Sequence, residues 1–241
     1  MTRIRFDHIA IGMPRMADAP PVLAGALGGV PAYGQSSGVF RWGLWTFDGG
    51  GAIEILEPMG DDGFLHRFLD ERGPGIHHVT FRVPSLAAAC ARARAAGYDI
   101  VGLDDSDPSW KEAFLHPKQA LGIVVQFAEA GGSDGARPEW LPPPGPPDPP
   151  PPVSILGLRL CAQSRARAVR QWELVLEGER TEGAGGELIY HWPGSPMRLA
   201  VDIDPAREEG PIAIEYASAR PVALPEGAHP VLGTVFTRGV A

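Results

Sequence analysis

Four residues able to hold a metal recur in one pattern. A histidine sits on a first strand, and a residue with a side-chain oxygen follows near the end of the same repeat. His8 and Glu54 are 46 positions apart, and His78 and Gln126 are 48 apart. The two histidines are separated by 70 positions and the two oxygen ligands by 72, so the set comes from an internal duplication rather than from scatter. Two imidazoles, a carboxylate and an amide oxygen suit one borderline divalent ion, Co, Mn, Ni, Fe or Zn, better than Ca or Mg, with water completing the shell. A strand histidine taken singly reads as a hydrogen-bonded structural residue. The repeated spacing is what favours ligation.

Strands must position these groups, because alternate strand positions share a face and residues in the middle of a first and a fourth strand can then converge inside a curved sheet. FDHIAIGM alternates as a strand, Ala17 to Leu27 is expected as a helix, and GVFRWGLWTF and GAIEILEP read as two further strands. After a short helix around Phe64 to Glu71 the order recurs. HHVTFRV is a strand, Ser85 to Ala96 a helix with Pro84-Ser85 as its start and Gly97 as its stop, and YDIVGL, KEAFLHP and GIVVQFAEA are strands. Gly131 to Pro152 can form neither ladder nor helix, since proline removes donors and fixes φ, and it reads as a stiff linker. A third copy follows, with ILGLRLCAQ as strand, Arg165 to Glu177 as helix, and GELIYHW and MRLAVDID as strands. A fourth is truncated to GPIAIEYAS and a final PVLGTVF.

The expected class is therefore α+β. Tandem β-α-β-β-β modules form a curved, barrel-like mixed sheet over 1–130, a Pro/Gly-rich linker occupies 131–152, and a degenerate module fills 153–241. In the third copy Gly157-Leu158 stand at the His8 place and Ala200 near the Glu54 place, and Ile212-Ala213 stand where His77-His78 would be. The C-terminal half has lost every ligand and reads as a scaffold that packs on the first half or mediates assembly, which is compatible with a homodimer.

Composition narrows the partners. Of 241 residues 44% are hydrophobic and 21% charged, with a net charge of −8 and no basic stripe, which argues against nucleic acid. MTRIRFDHIAIGM lacks a leader's apolar core, and no apolar run approaches the roughly 18 residues of a membrane span, so no membrane partner is expected and the cytoplasm is the expected location. Cys90 and Cys161 are the only cysteines and read as small buried side chains.

HIAIGM, IEILEPMGDDGFLHRFLDERGPGIHHVTFRV and EAFLHPKQALGIVVQ together resemble the vicinal oxygen chelate (glyoxalase/bleomycin resistance/dioxygenase) superfamily, and within it the methylmalonyl-CoA epimerase family, over residues 6–129. The resemblance implies paired modules around a metal that binds two neighbouring oxygens of a small-molecule substrate. It carries the ligand roles onto His8, Glu54, His78 (the second of the HH pair) and Gln126, and leaves His77 structural. Where that family places a glutamate this chain has Gln126, and an amide cannot accept a proton at neutral pH, so the strict epimerase reading weakens.

The chemistry implied is abstraction of a proton α to a chelated carbonyl, with Glu54 as the base and Glu112 as a second acid/base candidate, leading to epimerisation, isomerisation or elimination on an acyl-CoA-like substrate. Lys118, or Arg67 or Arg72, could receive an anionic substrate tail, although solvated surface charge is the plainer reading. Trp42, Trp45 and Phe47 wall a pocket or simply pack the core. Trp110 to Glu112 is expected on a loop covering the mouth. Two rivals stand beside this reading: an extradiol-type Fe(II) dioxygenase, which needs two histidines and a carboxylate, and a metal-free small-molecule binding or resistance protein.

Overall fold

The computed structural model describes residues 3–131 and 140–239. The first repeat comprises β1 (Arg5–Gly12), β2 (Val30–Ser36), β3 (Phe40–Thr46) and β4 (Ala52–Pro58), followed by α1 (Phe64–Arg72). The second has β5 (Gly75–Arg82), α2 (Leu86–Ala95), β6 (Ile100–Asp104), β7 (Trp110–Leu115) and β8 (Val124–Ala130). The third has β9 (Ser154–Ala162), α3 (Arg165–Val169), β10 (Glu179–Glu182), β11 (Leu188–His191) and β12 (Arg198–Ile203), and β13 (Gly210–Ala217) and β14 (Phe236–Arg238) complete the order. The strands form two mixed sheets, β2-β3-β4-β1-β5-β8-β7-β6 and β10-β11-β12-β9-β13-β14. The α+β class and the tandem modules are as expected, and the larger sheet is open, ending at β2 and β6.

Three local expectations are corrected. The helix over Ala17 to Leu27 is broken into a single tight turn at Met16–Asp18 and a wide turn at Pro21–Ala26. Pro20-Pro21 cannot donate to a regular ladder, and the Leu27 N–H reaches back five residues to the Val22 carbonyl. The third helix likewise stops at Val169 and continues to Val175 as another wide turn. Trp110 to Glu112 belongs to β7 rather than to a loop, in register with Ala130 to Ala128 of β8.

Contact density divides the chain into two compact units, with boundaries falling inside β1, β5, β9 and β13. One unit holds His8–His77, Pro138–Leu156 and Ala213–Ala241. Its sheet buries Ile9, Ile11, Trp45, Ile53 and Ile55, while Ala10, Leu56 and Leu65 form a second cluster flanked by Phe40, Trp42, Phe68 and Leu69. Of the proline-rich stretch, residues 132–139 lie outside the described residues. From Trp140 to Pro152 the segment has neither helix nor strand, and it lies along the first module. Trp140 bridges to Gly34, the Val153 N–H donates to the Leu27 carbonyl at 2.9 Å, and Arg220 donates to the Pro151 and Ala26 carbonyls at 2.9 and 2.8 Å. Gly28, at φ +73°, sits where a Cβ would strike the backbone of Pro150 to Pro152.

The other unit holds Met1–Asp7, His78–Arg137 and Gly157–Ile212. Its core joins the second and third repeats through Phe6, Phe81, Trp172 and Trp192. Phe6 stacks on Phe81 at 4.9 Å, and Trp192 lies 4.7 Å from Phe81. Ser85 caps α2 through Ala88 N–H, and the Glu129 carboxylate accepts from Leu86 N–H at 2.6 Å and from Lys111 at 2.9 Å. Those two donors hold the Glu129 carboxyl below its usual value. Both cysteines are buried and free.

Two outcomes follow. Gly28→Ala forces a strained φ and a clash, so chemical denaturation should show a loss of about 1–3 kcal/mol; an unchanged midpoint contradicts this packing. His77 is enclosed by the rings of Phe68 at 4.9 Å and Phe64 at 5.4 Å, and burial pushes its pKa down to about 4. The unfolded chain then binds the extra proton first. The neutral-His77 contribution, on the order of 3 kcal/mol, is fully present above about pH 6.5 and drains away as pH falls toward 4. His77→Phe should flatten that slope; parallel stability curves for the two proteins would refute it.

Candidate metal centre

In the first module β4 runs parallel to β1, with Ala10 opposite Glu54. β3 runs antiparallel, with Leu44 opposite Glu54 and Trp42 opposite Leu56. Period-two alternation therefore puts His8, Ala10, Glu54, Leu44 and Trp42 on one face and Ile9, Ile53, Ile55 and Trp45 on the other. His8 Nε2 and Glu54 Oε2 are 3.6 Å apart.

In the second module β5 and β8 are parallel, with Thr80 opposite Gln126 and His78 opposite Val124. β7 sets Phe114 opposite Gln126 and Glu112 opposite Ala128. His78, Thr80, Arg82, Trp110, Glu112 and Gln126 thus share a face. Gln126 Oε1 accepts from the Thr80 hydroxyl at 2.5 Å, and its Nε2 donates to Glu112 Oε2 at 2.7 Å. The same Oε2 accepts from Trp110 Nε1 at 2.9 Å, and the Arg82 guanidinium lies 4.3 Å from the Trp110 ring centroid.

His8, Glu54 and His78 are 5%, 8% and 6% exposed, and one ligand atom from each lies within 4.8 Å of the others. Ligands about 2.1 Å from one ion stand roughly 3 to 3.5 Å apart, so the 3.6 Å between His8 and Glu54 suits a shared cation. The donor set fits as well, because a carboxylate withdrawn from water beside imidazoles is costly unless a positive charge offsets it. Gln126, 7% exposed, is held at both ends of its amide by Thr80 and Glu112.

The remaining expected residues scatter. Trp42 stands on the Glu54 face, its ring edge-on to Tyr33 at 5.6 Å. The expectation that Trp45 lines the same pocket fails, since residues three apart on a strand cannot share a face, and Trp45 is fully buried opposite Ile53. Lys118 is exposed in the turn between β7 and β8, and Arg67 and Arg72 are exposed on α1. In the third copy Gly157 pairs with Arg198 and Arg159 with Ala200; Arg159 grips Asp202 at 2.9 and 2.6 Å where the first module has Ala10 and Leu56. Sequence reasoning did not single out Thr80. Its position two residues after His78, hence on the same face, was the available signal.

The model of the Glyoxalase/Bleomycin resistance protein/Dioxygenase superfamily matches residues 7–114. The chain is 29% identical over 133 residues to an ethylmalonyl-CoA/methylmalonyl-CoA epimerase of Cereibacter sphaeroides, covering 52% of this chain and 97% of that protein. It is 28% identical over 134 residues to the uncharacterized protein YqjC of Bacillus subtilis, covering 53% of this chain and 94% of the other. Among solved structures, a mutant of 4-hydroxymandelate synthase from Streptomyces coelicolor superposes with a TM-score of 0.62 at 14% identity, over 90% of this chain and 72% of that one, a likeness of fold. The paired modules, the converging His-Glu-His set and these matches agree: residues 7–114 form a domain of the Glyoxalase/Bleomycin resistance protein/Dioxygenase superfamily.

Proposed function

We propose that this chain is a metal-dependent enzyme that removes a proton α to a chelated carbonyl, acting as an epimerase, isomerase or lyase on a small acyl compound with neighbouring oxygens. The observation that carries the reading is Glu54, a carboxylate 8% exposed and 3.6 Å from His8. A divalent ion held by His8, Glu54 and His78 would polarise the substrate carbonyl and stabilise the charge that proton loss leaves behind. Glu54 has two carboxylate oxygens, so one can ligate while the other takes the proton, the C–H pair becoming the C=C bond of the enolate as the carbonyl π pair moves onto oxygen. Glu112, with two N–H donors on Oε2, is the second proton-handling group. The half-buried Trp42 walls the substrate's apolar part. An acyl-CoA thioester is the substrate class favoured, because a relative covering half of this chain is named for ethylmalonyl-CoA and methylmalonyl-CoA. The reading takes the protein to work in the cytoplasm, as a monomer or homodimer, without nucleic acid.

A second reading, Fe(II)-dependent oxygen chemistry, is favoured by one observation: the converging set is two histidines and one carboxylate. Oxygen uptake with Fe(II) and catechol-like substrates would support it.

The deciding experiment follows deuterium entry at the α-carbon of methylmalonyl-type CoA thioesters in D2O. Exchange should need the metal and fall by roughly a hundredfold or more in Glu54→Gln. Exchange at the wild-type rate in that variant, with its metal still bound, would remove Glu54 as the base.

A further inference from the structure

We infer that Gln126 is a positioning residue that aims Glu112, rather than a ligand of the ion; the inference rests on the reading above for the role of Glu112, but its geometry stands independently. A neutral carboxamide has one acceptor oxygen, carrying two lone pairs, and two donor hydrogens. Its acceptor, Gln126 Oε1, takes the Thr80 hydroxyl at 2.5 Å, and its donor, Nε2, reaches Glu112 Oε2 at 2.7 Å. The orientation follows from the partners, because a flipped amide would set its oxygen against the carboxylate, acceptor against acceptor. An amide is thus the group this place requires, since a carboxylate here could not donate to Glu112.

The clamp on Glu112 has a second jaw. Trp110 Nε1 donates to the same Oε2 at 2.9 Å, the Arg82 guanidinium lies over that indole at 4.3 Å, and Asp7 lies 3.4 Å from Arg82. Thr80 is fully buried, and the chain Thr80, Gln126, Glu112, Trp110, Arg82 runs along one face of β5, β8 and β7. Two donors converge on Oε2 and leave the other Glu112 oxygen as the proton acceptor, on a carboxylate that is only half-buried. Held this way, the side chain loses little rotamer freedom when substrate arrives.

Gln126→Met keeps the length of the side chain and removes both hydrogen bonds. Thr80→Val removes only the hydroxyl that anchors the amide, and Thr80→Ser restores it. Three readouts are taken: Co(II) affinity by competition with a chelating dye, the Trp110 indole N–H proton resonance, assigned with Trp110→Phe, and α-exchange of each methylmalonyl-CoA enantiomer. In Gln126→Met and Thr80→Val the indole resonance should shift as it does in Glu112→Gln, and Co(II) affinity should stay within about threefold. The exchange kcat of one enantiomer should fall roughly 10- to 100-fold with KM unchanged, and Thr80→Ser should behave as wild type. A Co(II) affinity weakened by about tenfold or more makes Gln126 a ligand and overturns the inference, as does an indole resonance that ignores the loss of Gln126. Wild-type protein that exchanges neither enantiomer refutes the proposed reaction, and leaves the resonance and the Co(II) affinity to decide the role of Gln126.

Discussion

A carboxylate kept out of water beside imidazoles is the interaction on which the site depends. Glu54 sits 3.6 Å from His8, and the ligand atoms of His8, Glu54 and His78 fall within 4.8 Å of one another. Burial of such a group costs several kcal/mol unless positive charge or hydrogen bonds answer it. A divalent ion held there would answer all three side chains at once.

The strands serve that requirement through period-two alternation. Pairing Ala10 with Glu54 puts the His8 face of β1 level with the carboxylate, and pairing Thr80 with Gln126 does the same for His78 and its neighbours. The opposite faces of the same strands are apolar: Ile9, Ile53 and Trp45 in one unit, and Phe81 and Phe127 in the other, where Phe81 meets Trp172 and Trp192. Division of labour between faces lets one short strand carry both chemistry and core. In the third module the equivalent face carries the Arg159–Asp202 ion pair, which satisfies its own charges without a cation.

Much of this was legible in the sequence because the duplication repeats its spacing and its strand patterns, which placed the strands bearing His8, Glu54, His78 and Gln126. The parts that escaped have physical causes. β2 contains Pro31 and Gly34, and β10 is entirely exposed, so neither shows apolar alternation. Ala17 to Leu27 has helical composition, but consecutive prolines at 20 and 21 deny it a ladder. Trp42 and Trp45 look like one aromatic wall until period two is applied strictly. The clamp around Glu112 was hidden for another reason: hydrogen bonds among Thr80, Gln126 and Trp110 depend on register between strands far apart in the chain, which spacing alone does not fix.

X-ray absorption of protein reconstituted with Co(II) or Zn(II) tests the central claim most directly. One ion per chain, with two imidazoles and at least one oxygen in its first shell and one imidazole fewer in either His8→Ala or His78→Ala, is the result this account requires. A spectrum that neither substitution alters, or protein that takes up no stoichiometric ion, would contradict it.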